Sequence, residues 1–190
     1  MTHQTFRTDT LFDTGGEMNM PRYLLTTNTL SMTSGAIILT PFVAARSEAI
    51  TKLLVRVGTT AAATVTTIKV GIYEVNQAGN LTLIAVSANT TTMCATINAA
   101  GTLTSLTSTF NKIANRLYAT AFIFVGTTAP LLLGGSGTAF TSTAASAPFN
   151  LMPINGALRR TGQTDLITPL ALNTLSISSG TNQPYMEMLQ

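Results

Sequence analysis

Arg116-Leu-Tyr-Ala-Thr-Ala-Phe-Ile-Phe-Val125 is apolar on both of its alternating faces: Leu117, Ala119, Ala121, Ile123 and Val125 fall on one, Tyr118, Phe122 and Phe124 on the other. A run this rich in aromatic and branched residues reads as a strand, and with neither face polar it reads as a central strand covered on both sides. Upstream the period of two continues. Leu53, Val55 and Val57 alternate with Lys52, Leu54 and Arg56, and Ile68, Val70 and Ile72 alternate with Lys69, Gly71 and Tyr73. Asn76-Gln-Ala-Gly-Asn80 supplies turn residues, and residues 81–86 resume an extended run, so the segments on either side are expected to form a hairpin.

Farther from these strands the pattern weakens. Residues 93–97 and 102–107 read as two short strands broken by Asn98-Ala-Ala-Gly101, and residues 127–155 read as a long loop anchored by Leu131, Leu132, Leu133, Phe140 and Phe149. Residues 166–175 and 185–189 supply closing strands, with Pro169 marking an edge or a bulge. Short turns of helix fit residues 42–54 and 109–116, but neither sustains a 3.6-residue period. Roughly seven or eight short strands in one chain imply a sandwich or barrel, and the expected fold is an all-β, jelly-roll-like antiparallel β-sandwich.

The chain has 190 residues, enough for one domain with a sizeable core but not for two. Residues 46–190 are expected to carry the sandwich. Residues 1–45 hold few regularly spaced apolar residues and read as an extended N-terminal arm whose Phe6, Leu11, Phe12, Tyr23, Leu24 and Leu25 would anchor in the grooves of a partner.

Charged residues make up only 9% of the chain, against about a quarter in ordinary soluble domains, so the surface is neutral and rich in hydroxyls. The net charge of +3 reflects scarce acids rather than abundant bases, and between Glu74 and Asp165 the only basic residues are Lys112, Arg116, Arg159 and Arg160. Direct nucleic-acid binding is therefore not expected. The apolar runs are too short to span a bilayer as helices, and residues 1–10 lack a secretory core, so neither membrane insertion nor a cleaved signal is expected.

Chemistry-bearing residues are few. Cys94 is the one cysteine, which excludes an internal disulfide and a cysteine metal cluster. His3 is the one histidine and falls in the arm, which disfavours a Ser-His-Asp triad or a multi-histidine metal site. Asp9, Asp13 and Glu17 lack the ligand alternation of a calcium loop. Glu48, Glu74, Asp165 and Glu187 are dispersed in sequence, and a glycosidase pair among them is the weakest of the functional readings. The expectation is a non-enzymatic protein with no cofactor, no metal and no catalytic residues. Tyr23, Tyr73, Tyr118 and Tyr185 suit strand packing as well as sugar stacking, and no tryptophan is present. The sequons at Asn80 and Asn89 are the chance product of a threonine-rich chain.

Several segments carry a family likeness: Ile50-Thr-Lys-Leu-Leu-Val-Arg-Val-Gly-Thr59, Thr67-Ile-Lys-Val-Gly-Ile-Tyr-Glu-Val75, Gly79-Asn-Leu-Thr-Leu-Ile-Ala85, Arg116-Leu-Tyr-Ala-Thr-Ala121 and Thr127-Thr-Ala-Pro-Leu-Leu-Leu-Gly134. With Gly162-Gln-Thr-Asp-Leu166 and the run to Tyr185, residues 46–190 resemble a β-sandwich module of tailed-phage minor tail and virion structural proteins. The resemblance implies a sandwich displayed on the virion surface after synthesis in the host cytoplasm, touching other virion proteins and copies of itself. It carries over no catalytic residue. A receptor- or carbohydrate-binding adhesion module contacting a host surface glycan is the alternative, and a small hydrolase comes last.

Overall fold

The computed structural model describes residues 17–18, 25–76, 80–136, 158–171, 174–177, 182–184 and 186–190. Among them the fold is all-β: two antiparallel seven-stranded sheets enclose one core in a sandwich-like arrangement, with no α-helix. The first sheet contains β2 (Leu25–Ser31), β4 (Glu48–Val57), β7 (Asn98–Lys112) and β9 (Leu131–Ser136). Short strands β1 (Glu17–Met18), β13 (Asn182–Pro184) and β14 (Met186–Leu189) complete it. The second is built on β3 (Ala36–Val43), β5 (Ala63–Val75), β6 (Asn80–Val86) and β8 (Leu117–Thr128). Its margins are β10 (Leu158–Arg160), β11 (Leu170–Ala171) and β12 (Ser176–Ile177).

The pairing is nested about the β5–β6 hairpin: β5 pairs with β6, β4 with β7, β3 with β8 and β2 with β9. The successive pairs fall alternately in the two sheets. Between the sheets lie Tyr118, Phe122 and Phe124 from β8, Ile68, Val70 and Ile72 from β5, and Leu53, Val55 and Val57 from β4. Ile50 points inward too, although it has the opposite parity, because the ladder with β7 shifts register between Ile50 and Lys52. A bulge resets the alternation, so one strand presents both sets to the core. Opposite that shift, β7 leaves β4 and Leu106 bridges to Ser87 at the end of β6, closing one side of the sandwich.

The second sheet is covered on its outer face as well. Ala119, Ala121 and Ile123 of β8, with Ile37, Leu39, Tyr73 and Leu81 and with Leu158 and Leu170 of the marginal strands, form a second buried cluster that includes Leu166 of the segment crossing this face. The segment across it is fastened by Lys69 Nζ to Asp165 Oδ2 at 2.6 Å, by the Tyr73 hydroxyl donating to the Ile167 carbonyl at 2.7 Å, and by the Leu83 N–H donating to Thr168 Oγ1 at 3.2 Å. Gly71 makes room for it: a Cβ there would stand 2.9 Å from Leu166 Cδ1 and 3.0 Å from the Ala85 carbonyl oxygen.

The expected strands at 51–57, 68–73, 81–86 and 116–125 are present with the expected faces, and β8 is the middle strand of its sheet. Four expectations need correction. The boundary between residues 45 and 46 does not separate an arm from the sheets, because β2 pairs with β9 and β3 lies between β8 and β10 with Ile37 and Leu39 fully buried. Residues 46–190 alone would thus lack three strands of the sandwich, β1, β2 and β3. Asn98–Gly101 is not a break but the start of β7, where Gly101 adopts φ +100° and the Asn98 side chain bonds to both its N–H and its carbonyl. Met93 and Cys94 sit in a buried turn rather than a strand. Finally, Leu131–Ser136 is a strand of the first sheet and not loop, while residues 137–157 lie outside those described.

Candidate interaction surface

One end of the sandwich gathers the turns joining β3 to β4 and β7 to β8. The Ala44 N–H donates to the Arg116 carbonyl at 3.0 Å, the Asn115 N–H to the Ala44 carbonyl at 2.8 Å, and the Ala114 N–H to Ser47 Oγ at 2.9 Å. Asn115 takes φ +64°, a left-handed conformation that asparagine tolerates. The two turns are thereby locked side by side. An exposed apolar side chain stands at the start of each, Val43 at 48% and Ile113 at 46% exposure. Around them Arg46 binds Glu48 at 2.7 Å, Lys112 binds the other oxygen of Glu48 at 2.5 Å, and Arg116 binds Glu74 at 2.8 Å. Exposed apolar side chains on two turns locked together, with the exposed Arg46 and Arg116 in the same turns, suit contact with another protein surface.

Of the anchors expected in the arm, Phe6, Leu11, Phe12, Tyr23 and Leu24 lie outside the described residues. Leu25 is described as the first residue of β2, opposite Gly135, which gives its backbone a place in a sheet. The sequence does not single out Val43 and Ile113, because an apolar residue at a strand end carries the same signal as one in the core. Only the adjacency of the two turns identifies them.

The dispersed carboxylates each engage a different basic partner: Glu48 with Arg46 and Lys112, Glu74 with Arg116, Asp165 with Lys69, and Glu187 with Arg56 at 2.9 Å. Among the described residues no group of three His, Cys, Asp or Glu side chains could hold a metal ion. Burial pushes the Cys94 thiol up to about 12, so it remains protonated and unreactive at neutral pH. Tyr73 and Tyr118 are fully buried, and their hydroxyls are occupied: Tyr73 donates to Ile167, and Tyr118 accepts from the Ile113 N–H at 3.2 Å. Burial, and then the nearby Asp165, raise the Tyr73 hydroxyl well above its ordinary range. Neither ring is available to stack on a sugar, while Tyr23 and Tyr185 lie outside the described residues. Asn89 has an internal role, accepting from the Ile68 N–H and donating to the Thr66 carbonyl, both at 2.9 Å. In the Arg159-Arg160 pair, Arg160 donates to the Thr174 carbonyl at 3.0 Å, holding β10 to the following segment.

No protein-family model matches the chain, and no curated protein does. Among the described residues no helix is long and apolar enough to cross a membrane.

Proposed function

We propose that this chain is a non-enzymatic structural protein of a tailed-phage virion, of minor tail or capsid decoration type, displaying a jelly-roll-like antiparallel β-sandwich on the particle surface. The observation that carries this reading is the nested pairing of β2 with β9, β3 with β8, β4 with β7 and β5 with β6, alternating between two sheets. A long hairpin wound in this way has the strand order of a jelly roll, an architecture common in viral capsid and lectin domains. Fold does not determine function, so the surface chemistry must agree with it. It does in two respects: the charge is sparse, and the described carboxylates tie one segment to another.

The partners in this reading are other virion proteins and copies of the same chain, without direct nucleic-acid contact, membrane insertion or cofactor. Phe6, Leu11, Phe12, Tyr23, Leu24 and Leu25 remain the proposed anchors, and Val43 and Ile113 add a second contact patch at the loop end. The adhesion alternative is weakened by the burial of Tyr73 and Tyr118.

The test is incorporation. Purified tailed-phage particles should contain the chain by mass spectrometry, and changing Phe6, Leu11 and Phe12 together to alanine should cut its co-sedimentation with particles lacking it by tenfold or more at unchanged melting temperature. Absence from particles overturns the virion reading, and full incorporation of the triple variant overturns the role of the arm. Specific binding on a glycan array with no particle association would favour the adhesion module instead.

A further inference from the structure

Glu48 opens β4, Lys112 closes β7, and the two are directly opposed across the ladder. The Lys112 side chain is 0% exposed and that of Glu48 5%, with Nζ 2.5 Å from Oε1. Phe110, two residues before Lys112 and so on the same strand face, meets the Tyr118 ring edge-on at 5.0 Å, and Phe42 lies 5.9 Å from the same ring. An ammonium and a carboxylate taken out of water together lose solvation that their attraction only partly restores. For the pair to react, one proton must pass from Nζ to Oε1, which leaves an amine beside a carboxyl group. The amine is a nucleophile and the carboxyl carbon its electrophile, held together by the strand pairing rather than by a chance encounter. The second oxygen, Oε2, receives Arg46 Nε at 2.7 Å and Gln190 Nε2 at 3.4 Å, donors placed where negative charge would develop during attack.

We infer that Glu48 and Lys112 are the site of an intramolecular isopeptide bond that clasps β4 to β7 at the loop end of the sandwich. Nζ attacks Cδ of Glu48, forming a C–N bond and placing the charge on Oε2, where Arg46 holds it. The Cδ–Oε1 bond then breaks and Oε2 returns to a carbonyl. Of the three protons on the original ammonium, one stays on the amide nitrogen and two leave with Oε1 as water. No oxidant, metal or co-reactant enters. Arg46, with a side chain 38% exposed, borders the site on the solvent side and gives the water a way out.

The experiment is the intact mass of the denatured wild-type protein, followed by proteolysis and tandem mass spectrometry. The expected mass is that of the chain less one water, once removal of the initiator methionine has been allowed for, with a branched peptide joining Glu48 to Lys112. Lys112→Arg keeps the charge but lacks the nucleophile, and should return the full mass with no branched peptide. A wild-type protein at full mass overturns the inference. So does a loss of water that maps to any other pair of residues, or that persists in Lys112→Arg.

Discussion

The two sheets solve the same burial problem in different ways. The sheet centred on β8 is buried on both sides, with the inter-sheet core on one and, on the other, an outer cluster that joins Leu158 and Leu170 of its own marginal strands to Leu166 of the segment crossing it. The sheet containing β4 and β7 sends Leu53, Val55 and Val57 inward and turns Lys52, Leu54 and Arg56 the other way, with Leu103 of β7 48% exposed. Strands covered twice lose the alternation that a half-buried strand must keep. In this chain the better-buried sheet is thus written in the less periodic sequence.

That contrast can be broken most severely at Ile123, which has no exposure and faces the outer cluster of the dry sheet. Ile123→Asp places a carboxylate there without a partner, and the expected cost of several kcal/mol takes most of a typical stability of about 5–15 kcal/mol. Circular dichroism and thermal melting should show an unfolded or aggregated protein; a soluble variant with the wild-type melting temperature would mean that the outer face of this sheet is wet.

A smaller effect is expected at Gly71, the notch that seats Leu166. Gly71→Ala puts a methyl group 2.9 Å from Leu166 Cδ1 and 3.0 Å from the Ala85 carbonyl oxygen, and the backbone contact cannot yield as a side chain can. Overpacking of this kind costs about 1–3 kcal/mol. Denaturant melts should show that loss, and hydrogen exchange should show faster opening around residues 165–168. Unchanged stability would mean that the covering segment sits more loosely than its three fastenings suggest.

The smallest effect is expected on the outer face of the other sheet. Leu103→Asp introduces the same charge as Ile123→Asp, but at a site open to water, and should change stability by less than about 1 kcal/mol. A cost comparable to that at Ile123 would show that this face is covered too, and the asymmetry between the sheets would disappear.

The same asymmetry governs what could be read from sequence. The half-buried β4 and the twice-covered β8 were both legible, the first by alternation and the second by a run of large apolar residues too long to be anything else. β3 was not, because Ala36-Ile-Ile-Leu-Thr-Pro-Phe42 is buried on both faces, lacks a period, and contains a proline that looks like a stop. Pro41 is tolerated because β10 reaches only to Leu39, so β3 is an edge strand at that point and a missing N–H leaves no broken pair. β7 reads from sequence as two pieces because Asn98 and Gly101 are turn-formers; here they form a local turn inside a bulged strand end, with Gly101 packed over Leu54. At the candidate surface, the low charge and the lack of nucleophile–base spacing were legible. The meeting of the two end turns, and of Glu48 with Lys112, was not, since 64 residues separate that pair.

The nesting of the strands also orders events in time. As the chain leaves the ribosome, β2, β3 and β4 emerge with no partner yet made, because Leu30 awaits Leu132 and Ile37 awaits Ile123. The first pair that can close is β5 with β6, which are only four residues apart in the chain, and each later strand then has a place prepared by the one before it: β7 beside β4, β8 beside β3 and β5, β9 beside β2. Long-range pairings of this kind close slowly, and strand edges left waiting are open to the wrong neighbour. Sparse charge gives those waiting edges little electrostatic protection, so the interval between synthesis of β4 and synthesis of β9 is when the chain is most exposed to misassembly with its own copies.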